Sequence, residues 1–252
     1  MLRNFADVLD LGTPGPHLAQ ALRARAGIRS LVRASPLPEP PASGWAGVVA
    51  DEEALPFAEA AFDLVVSALA LHQVNDLPGA LVQIRRVLKP DGLFLACLAG
   101  GRTLFELRAA FAAAEAEIEG GASPRIAPFA DIRDMGGLLQ RAGLALPVAD
   151  VETIRVRYGD CFALLRDLRA MGATNVLYER RRTPLRRAVL LRAAEYYQDN
   201  FADADGRIRA TFDIIWLSGW APDASQPQPL RPGSAKTRLA DVLGGKTRRE
   251  EG

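Results

Sequence analysis

The feature of this sequence that most constrains its fold is the alternation of short, continuous apolar runs with longer segments of helical periodicity. This pattern predicts parallel strands that form a buried sheet, with helices covering both faces. The fold class is therefore α/β. The runs that predict strands are residues 6–11, 31–32, 48–50, 62–68, 93–98, 148–156 and 210–216.

Helical periodicity is clearest in residues 77–88, where apolar side chains recur at spacings of four, three and four. The next four residues, Lys-Pro-Asp-Gly, are typical of a turn because proline fixes φ and glycine accepts positive φ. Residues 161–198 hold two more helical patterns, which we interpret as an insertion, at about residues 161–200, that precedes the last strand. Further helices are predicted over residues 17–26, 103–119 and 131–141.

The chain of 252 residues is long enough for one elaborated domain, which we place at residues 1–220. Beyond it, prolines are frequent and apolar residues are few. Residues 221–252 are therefore predicted to form an extended, partly disordered tail.

Charge and cysteine content limit the function classes. The 31 Lys and Arg residues nearly balance the 30 Asp and Glu residues, so no net field favours nucleic acid or a membrane surface. The two cysteines, Cys97 and Cys161, have no CxxC spacing and no histidine at ligand spacing, which argues against a disulfide framework or a zinc site. With neither a signal-peptide pattern nor a long uncharged apolar stretch, we expect a cytoplasmic protein with no membrane span and no metal.

Two groups of residues are candidates for ligand contacts. Asp10 lies in the first strand, and Gly12 and Gly15 follow it before a helix. Glycines there let a nucleoside approach the backbone, and the alternative is plain turn chemistry. Asp51 and Glu52 follow the third strand, and the carboxyl ends of strands in an open parallel sheet line the ligand crevice. A carboxylate there could accept the amine hydrogens of an adenine; the alternative is a solvated turn.

Two further residues are candidates for catalysis. His72 follows the fourth strand, and histidine titrates near neutral pH, so it could be a base or a substrate contact. Alternatively it is a polar residue of the loop, with Asp76 as the cap of the next helix. Arg102 follows the fifth strand and either contacts substrate or begins a helix.

Several motifs resemble known families. The order VLDLG, VVADEEALPF, FDLVVSALALHQVNDLPGAL and LKPDGLFLA, over residues 8–98, resembles the class I S-adenosylmethionine-dependent methyltransferases. The longer motifs ADEEALPF, LHQVNDLPGALVQIRRVLKPDG, GGRTLFELR, EGGASPRIAPF and RATFDIIWLSGW resemble the bacterial relatives of mitochondrial complex I assembly factor 5. This second resemblance extends over most of the chain.

The resemblance implies a Rossmann-like, mostly parallel sheet of seven strands whose last strand is antiparallel. S-adenosyl-L-methionine would lie across the carboxyl ends of the first strands. By position, Asp10, Gly12 and Gly15 match the methionine-side loop, and Asp51 with Glu52 match the adenine-side acidic motif. Ser67 to Leu69 would line the pocket by backbone contact.

The sequence departs from the family pattern at two parts of this cofactor site. The glycine loop contains Pro14 and Pro16, and each proline lacks an amide donor. The second strand runs into Arg33, Ala34 and Ser35, where the family has an acidic residue that holds the ribose hydroxyls.

The resemblance also implies a function. We expect a protein that binds S-adenosylmethionine and modifies a protein substrate, such as a subunit of respiratory complex I. The mitochondrial relative is regarded as an arginine hydroxylase despite its methyltransferase-like fold, so both methylation and hydroxylation stay open. The alternative is a non-catalytic complex I assembly factor whose degraded loop no longer holds the cofactor.

Overall fold

A computed structural model describes residues 4–38 and 44–227. Its seven strands form one sheet in the order β3-β2-β1-β4-β5-β7-β6. The strands are β1 (Asp7–Leu11), β2 (Ser30–Ser35), β3 (Ala46–Val49), β4 (Phe62–Ala68), β5 (Leu88–Ala99), β6 (Ala145–Tyr158) and β7 (Ile208–Trp220). Neighbours among β1 to β5 are parallel, whereas β7 is antiparallel to both β5 and β6. The predicted α/β fold with an antiparallel last strand is confirmed.

Among the residues that the structure describes, six α-helices accompany the sheet, and aspartates cap three of them. Asp76, Asp131 and Asp160 each accept a hydrogen bond from a backbone N–H in the first turn of the helix that follows. Such caps satisfy amide donors that have no partner within the helix. The helices are α1 (His17–Arg23), α2 (Leu77–Val87), α3 (Phe105–Glu119), α4 (Ile132–Arg141), α5 (Cys161–Ala170) and α6 (Arg187–Phe201). None of these helices, all within residues 4–38 and 44–227, combines the length and apolarity needed to cross a membrane.

The central strands are buried on both faces. In β4, Leu64 and Val66 pack with Val8 on one face, while Val65 packs with Leu9 on the other. Covering the sheet on both sides removes most apolar side chains of these strands from water, which explains why β4 is a continuous apolar run.

The predicted insertion before the last strand is confirmed as α5 and α6, which pack with α3 over a second core. Tyr197 lies at its centre, fully buried, and its hydroxyl donates a 2.8 Å hydrogen bond to the Arg209 carbonyl of β7. This core joins α3 to α5, α6 and the start of β7.

The predicted turn at residues 89–92 lies inside β5 instead of before it. Phe62 pairs with Leu88 and Leu64 pairs with Leu93, so the single residue Asp63 faces four residues of β5. The proline and glycine of the turn therefore produce an irregularity within a continuing strand. Lys89 anchors it, since its Nζ lies 3.0 Å from Asp63 Oδ1.

The compact α/β unit ends at Pro222. Just before that boundary the Ala221 N–H donates a 2.8 Å hydrogen bond to the Gly92 carbonyl. Asp223 Oδ1 accepts from the Ser225 N–H in a short turn of its own. Most of the predicted tail, residues 228–252, lies outside the described residues, so the division at residue 220 stays a prediction.

Candidate functional site

Three loops meet at the carboxyl edge of the parallel strands. Gly12, directly after β1, has a positive φ of 69°. A Cβ atom at this position would lie 2.5 Å from Glu52 Oε1 and 2.7 Å from Ala70 Cβ. Only glycine fits here, because both the backbone conformation and the space exclude a side chain. Gly12 thus brings the loops after β1, β3 and β4 into contact.

The loop after β1 is fixed by a buried ion pair. Asp10 and Arg33 occupy paired positions of β1 and β2 and are 1% and 4% exposed. Arg33 Nε lies 3.0 Å from Asp10 Oδ2, and its Nη2 donates 2.7 Å hydrogen bonds to the carbonyls of Thr13 and Gly15. Asp10 therefore acts on the loop through Arg33, and a direct contact between Asp10 and a ligand stays a prediction.

The same loop is tied to the end of β4. The buried Thr13 Oγ1 accepts a 3.0 Å hydrogen bond from the Ala68 N–H. The preceding residue, Ser67, is only 2% exposed, and its Oγ has no hydrogen-bond partner within the described part of the chain. Leu69 follows with a positive φ of 53° and an exposed side chain. The end of β4 therefore offers a buried hydroxyl beside an unusual backbone conformation.

The acidic motif after β3 contains three carboxylates with different surroundings. Asp51 is exposed, and its Oδ1 accepts a 2.9 Å hydrogen bond from the Glu53 N–H. Glu52 is buried against Gly12, and burial raises the pKa of its carboxyl above 4.5. Glu53 Oε1 accepts hydrogen bonds of 2.6 Å and 3.0 Å from the N–H groups of Asn75 and Asp76. Sequence reasoning missed Glu53, which fixes the loop that follows His72.

His72 lies in a short 3₁₀ turn, Leu71–Gln73. Its ring centroid is 5.9 Å from that of Phe129, and among the described residues its buried Nδ1 has no hydrogen-bond partner. Burial lowers the pKa of His72 below 6.5, so the imidazole is mainly neutral at pH 7. A neutral imidazole keeps one nitrogen as a proton acceptor, whereas the capping of α2 belongs to Asp76.

Arg102 lies in the loop between β5 and α3. Its side chain is exposed, and its guanidinium carbon lies 5.3 Å from the centroid of the Phe105 ring. Its N–H donates a 3.3 Å hydrogen bond to Oδ2 of the buried Asp213, which also accepts a 2.7 Å hydrogen bond from Thr153 Oγ1. Asp213 therefore holds this loop against β7, a role that sequence reasoning missed.

A cleft of about 390 Å³ opens beside these candidates. It lies between α3 and residues 123–129, and Gly101 borders it after β5. Phe129 belongs to its lining and is also the ring that His72 faces, so the cleft adjoins the candidate catalytic residue. The full lining comprises Gly101, Arg108, Phe111, Ala112, Ser123, Pro124, Arg125, Ile126, Pro128 and Phe129.

The chain is similar to known proteins in both sequence and fold. Residues 10–96 match the family described as methyltransferase domain. The chain is 40% identical over 248 residues to the mitochondrial arginine-hydroxylase NDUFAF5 of Danio rerio, covering 95% of this chain and 76% of that protein. The Homo sapiens protein of the same name is 42% identical over 249 residues, covering 95% and 71%. The solved YcgJ protein of Bacillus subtilis has a TM-score of 0.59 at 16% identity, covering 88% of this chain and 94% of that one, which indicates a shared fold.

The expected cytoplasmic location is contradicted by these relatives, because the Danio rerio, Homo sapiens and Rattus norvegicus proteins are all named as mitochondrial. The expectation depended on two cysteines without a pairing pattern and on the lack of a signal-peptide pattern or a long uncharged apolar stretch. The cysteines indicate a compartment that keeps thiols reduced, and they do not distinguish the cytosol from other such compartments.

Proposed function

Because the chain belongs to the arginine-hydroxylase NDUFAF5 family, which has the class I methyltransferase fold, we propose that it modifies an arginine side chain of a protein substrate. The proposed substrate is a subunit of respiratory complex I that is modified during assembly. The observation that carries the proposal is the open cleft whose Phe129 faces His72, since His72 belongs to one of the three candidate ligand loops that meet at Gly12. An open cleft suits a segment of a folded protein partner better than a small free metabolite, which binds in sites that enclose most of its surface.

The proposed cofactor is S-adenosylmethionine, and the residues present fit it at the β3 and β4 side of the edge. Asp51 is an exposed carboxylate placed to accept the amine of an adenine, and the unpartnered Ser67 Oγ is a polar atom that a ligand could satisfy. The fit is poorer at the glycine loop, since Arg33 occupies the carbonyls of Thr13 and Gly15. We therefore expect weak binding.

In this proposal the chain's residues mainly bind and orient. S-adenosylmethionine, when bound, supplies an electrophilic methyl group. Asp51 would hold the adenine, and the glycine loop fixed by Arg33 would hold the methionine end. His72, neutral at pH 7, is the group that can accept a proton at the mouth of the cleft. The name of the relatives favours hydroxylation, and one fold hosts many reactions. Hydroxylation would replace a C–H bond by C–OH and would need dioxygen and a two-electron reductant, which neither S-adenosylmethionine nor the chain's own residues supply.

A second candidate function is a non-catalytic assembly factor. The observation that favours it is again Arg33, whose guanidinium holds the loop closed on itself through two carbonyls. A chain of this kind would bind a complex I subunit without modifying it.

Two measurements separate these functions. Calorimetric titration with S-adenosylmethionine tests the cofactor. Intact-peptide mass spectrometry of complex I subunits, from cells with the gene, without it, or with a His72→Gln variant, tests the reaction. Loss of one oxygen mass from an arginine in the deletion supports hydroxylation, and loss of a methyl mass supports transfer. Unchanged masses with impaired assembly favour the non-catalytic factor, and unchanged masses with normal assembly overturn both candidates.

A further inference from the structure

The cleft between α3 and residues 123–129 is built by long-range polar contacts. Glu115 is fully buried beneath it and accepts hydrogen bonds of 2.6 Å from the Ser123 N–H and 2.7 Å from Arg125 Nε. Arg108, the fourth residue of α3, donates a 3.0 Å hydrogen bond from its Nη2 to the Ala127 carbonyl. These contacts hold the 123–129 segment against α3, so the cleft has a defined shape.

The charge that lines this cleft is positive. Its two charged lining residues are Arg108 and Arg125. Arg125 is neutralised by Glu115, which lies 2.6 Å from its Nη2. Arg108 is half-buried and makes no ion pair within residues 4–38 and 44–227. Arg108 is therefore the cation that the cleft leaves without a carboxylate.

The carboxylates of α3 itself are all engaged elsewhere. Each of the four glutamates on this helix bonds to a different element of the fold, so none is available to neutralise Arg108. Their partners are Thr211 for Glu106, Ser123 and Arg125 for Glu115, Arg192 for Glu117, and Arg181 for Glu119.

A guanidinium in this position selects its ligand. It has five N–H donors in one plane, of which one bond to the Ala127 carbonyl is made, and a carboxylate can accept two parallel bonds from the others. A second guanidinium in the same cleft would be repelled by Arg108, whereas Glu115 already neutralises Arg125. An arginine that the chain modifies must therefore lie outside the cleft, towards His72.

We infer that the cleft binds the carboxylate of an acidic side chain on the protein substrate, and that Arg108 receives it. This inference rests on the proposed function for the identity of the partner as a protein. It adds that the substrate segment carries an Asp or Glu near the modified residue, which would anchor the segment in the cleft.

The test is an NMR titration of the full chain, labelled on its arginine side chains, with N-acetylglutamate N-methylamide as the probe. Its isosteric control is N-acetylglutamine N-methylamide, and inorganic phosphate is a third ligand. Arg108→Gln is the test variant. Arg141→Gln is the matched control, because Arg141 is exposed at the end of α4, where the chain enters β6 at the opposite edge of the sheet.

We expect the glutamate probe to bind and the glutamine probe not to bind. Arg108→Gln should weaken binding about tenfold or more, as for the loss of a charged hydrogen bond, while Arg141→Gln leaves it unchanged. Arg108→Lys keeps the positive charge but lacks the planar guanidinium, so it should bind the glutamate probe with intermediate affinity. This variant replaces Arg108→Gln as the test if the glutamine variant does not fold.

Equal binding of both probes, or unchanged binding in a folded Arg108 variant, overturns the inference. Tighter binding of phosphate than of glutamate reassigns the cleft to a phosphate and also overturns it. Because the titration needs neither cofactor nor turnover, its result is independent of whether the chain modifies an arginine.

Discussion

The strongest test of the candidate site is the substitution Arg33→Met. Methionine retains an unbranched apolar side chain but removes the guanidinium that joins Asp10 to the loop after β1. Asp10, 1% exposed, would then keep a buried negative charge without its cationic partner. The carbonyls of Thr13 and Gly15 would lose a donor at the same time.

The expected cost follows from burial of the pair. Removing one partner of a buried ion pair destabilises a protein by about 3–5 kcal/mol, because the remaining charge is not compensated. For a chain of this size each kcal/mol lowers the Tm by about 2–4 °C, so Arg33→Met should unfold roughly 6–20 °C earlier. Asp10→Asn/Arg33→Met removes both charges and should recover all but about 1–3 kcal/mol, the cost of carbonyls left without donors.

The assay is urea unfolding followed by circular dichroism, with thermal unfolding as a second measurement. Arg29→Met is the matched control, since Arg29, directly before β2, pairs with Asp7 of β1 at 2.7 Å but its side chain is 73% exposed. Exposed pairs contribute little in water, and we expect no measurable shift of the urea midpoint.

Two results would refute this reasoning. A change below about 1 kcal/mol for Arg33→Met would mean that the ion pair does not hold the loop. A double variant no more stable than the single one would mean that the cost does not come from the unpaired charge of Asp10.

Three other predictions concern the candidate site. Asp51→Ala should weaken whatever S-adenosylmethionine binding is measured by calorimetry by about one to two decades, the usual effect of losing a charged acceptor; unchanged affinity would remove Asp51 from the site. Burial lowers the pKa of His72, so on acidification the unfolded chain binds this proton before the folded chain does, and the free energy of unfolding falls as pH drops below about 6.5. His72→Gln should therefore reduce the pH dependence of the urea midpoint between about pH 5 and pH 8. Burial by itself raises the pKa of Glu115, but Ser123 and Arg125 outweigh it and hold the pKa below 4.5, so its stabilising effect is present above that pH and lost as pH falls through the lowered pKa. Glu115→Gln should lose this stability at neutral pH and reduce the acid dependence, and an unchanged urea profile would contradict it.

Much of the sheet could be predicted because local sequence and tertiary packing agree there. The apolar run at residues 62–68 coincides with β4, since burial on both faces favours apolar residues at most positions. The helix predicted at residues 77–88 ends one residue earlier, at Val87, because Leu88 already pairs with Phe62. Local patterns therefore located the elements, and strand pairing decided where β5 begins.

The polar organisation of the site could not be predicted in the same way. In the sequence, Arg33 stands out only as a departure from an expected acidic residue, whereas its structural role depends on the strand register that places it beside Asp10. A basic and an acidic residue in two adjacent buried strands is a signal that could have suggested the pair. The sequence contains no comparable signal for the cleft, because Glu115 and Arg125 meet only when the chain after α3 folds back onto the helix.

The pairing of Arg33 with Asp10 also decides how the two candidate functions relate. A carbonyl oxygen has two lone pairs, so the bonds from Arg33 fix Thr13 and Gly15 without exhausting either oxygen as an acceptor. Asp10 neutralises the guanidinium, so the loop presents little net positive charge to a cationic sulfonium ligand. Fixing the loop within the folded chain also removes part of the entropy that a ligand would otherwise lose by ordering it. Arg33 therefore orders the loop in the way that a bound cofactor otherwise would. Such a loop is compatible with weak binding of S-adenosylmethionine as well as with a loop that no longer needs a ligand. The affinity for S-adenosylmethionine therefore decides whether the loop still holds a cofactor, and the masses of the complex I subunits decide whether the chain modifies them.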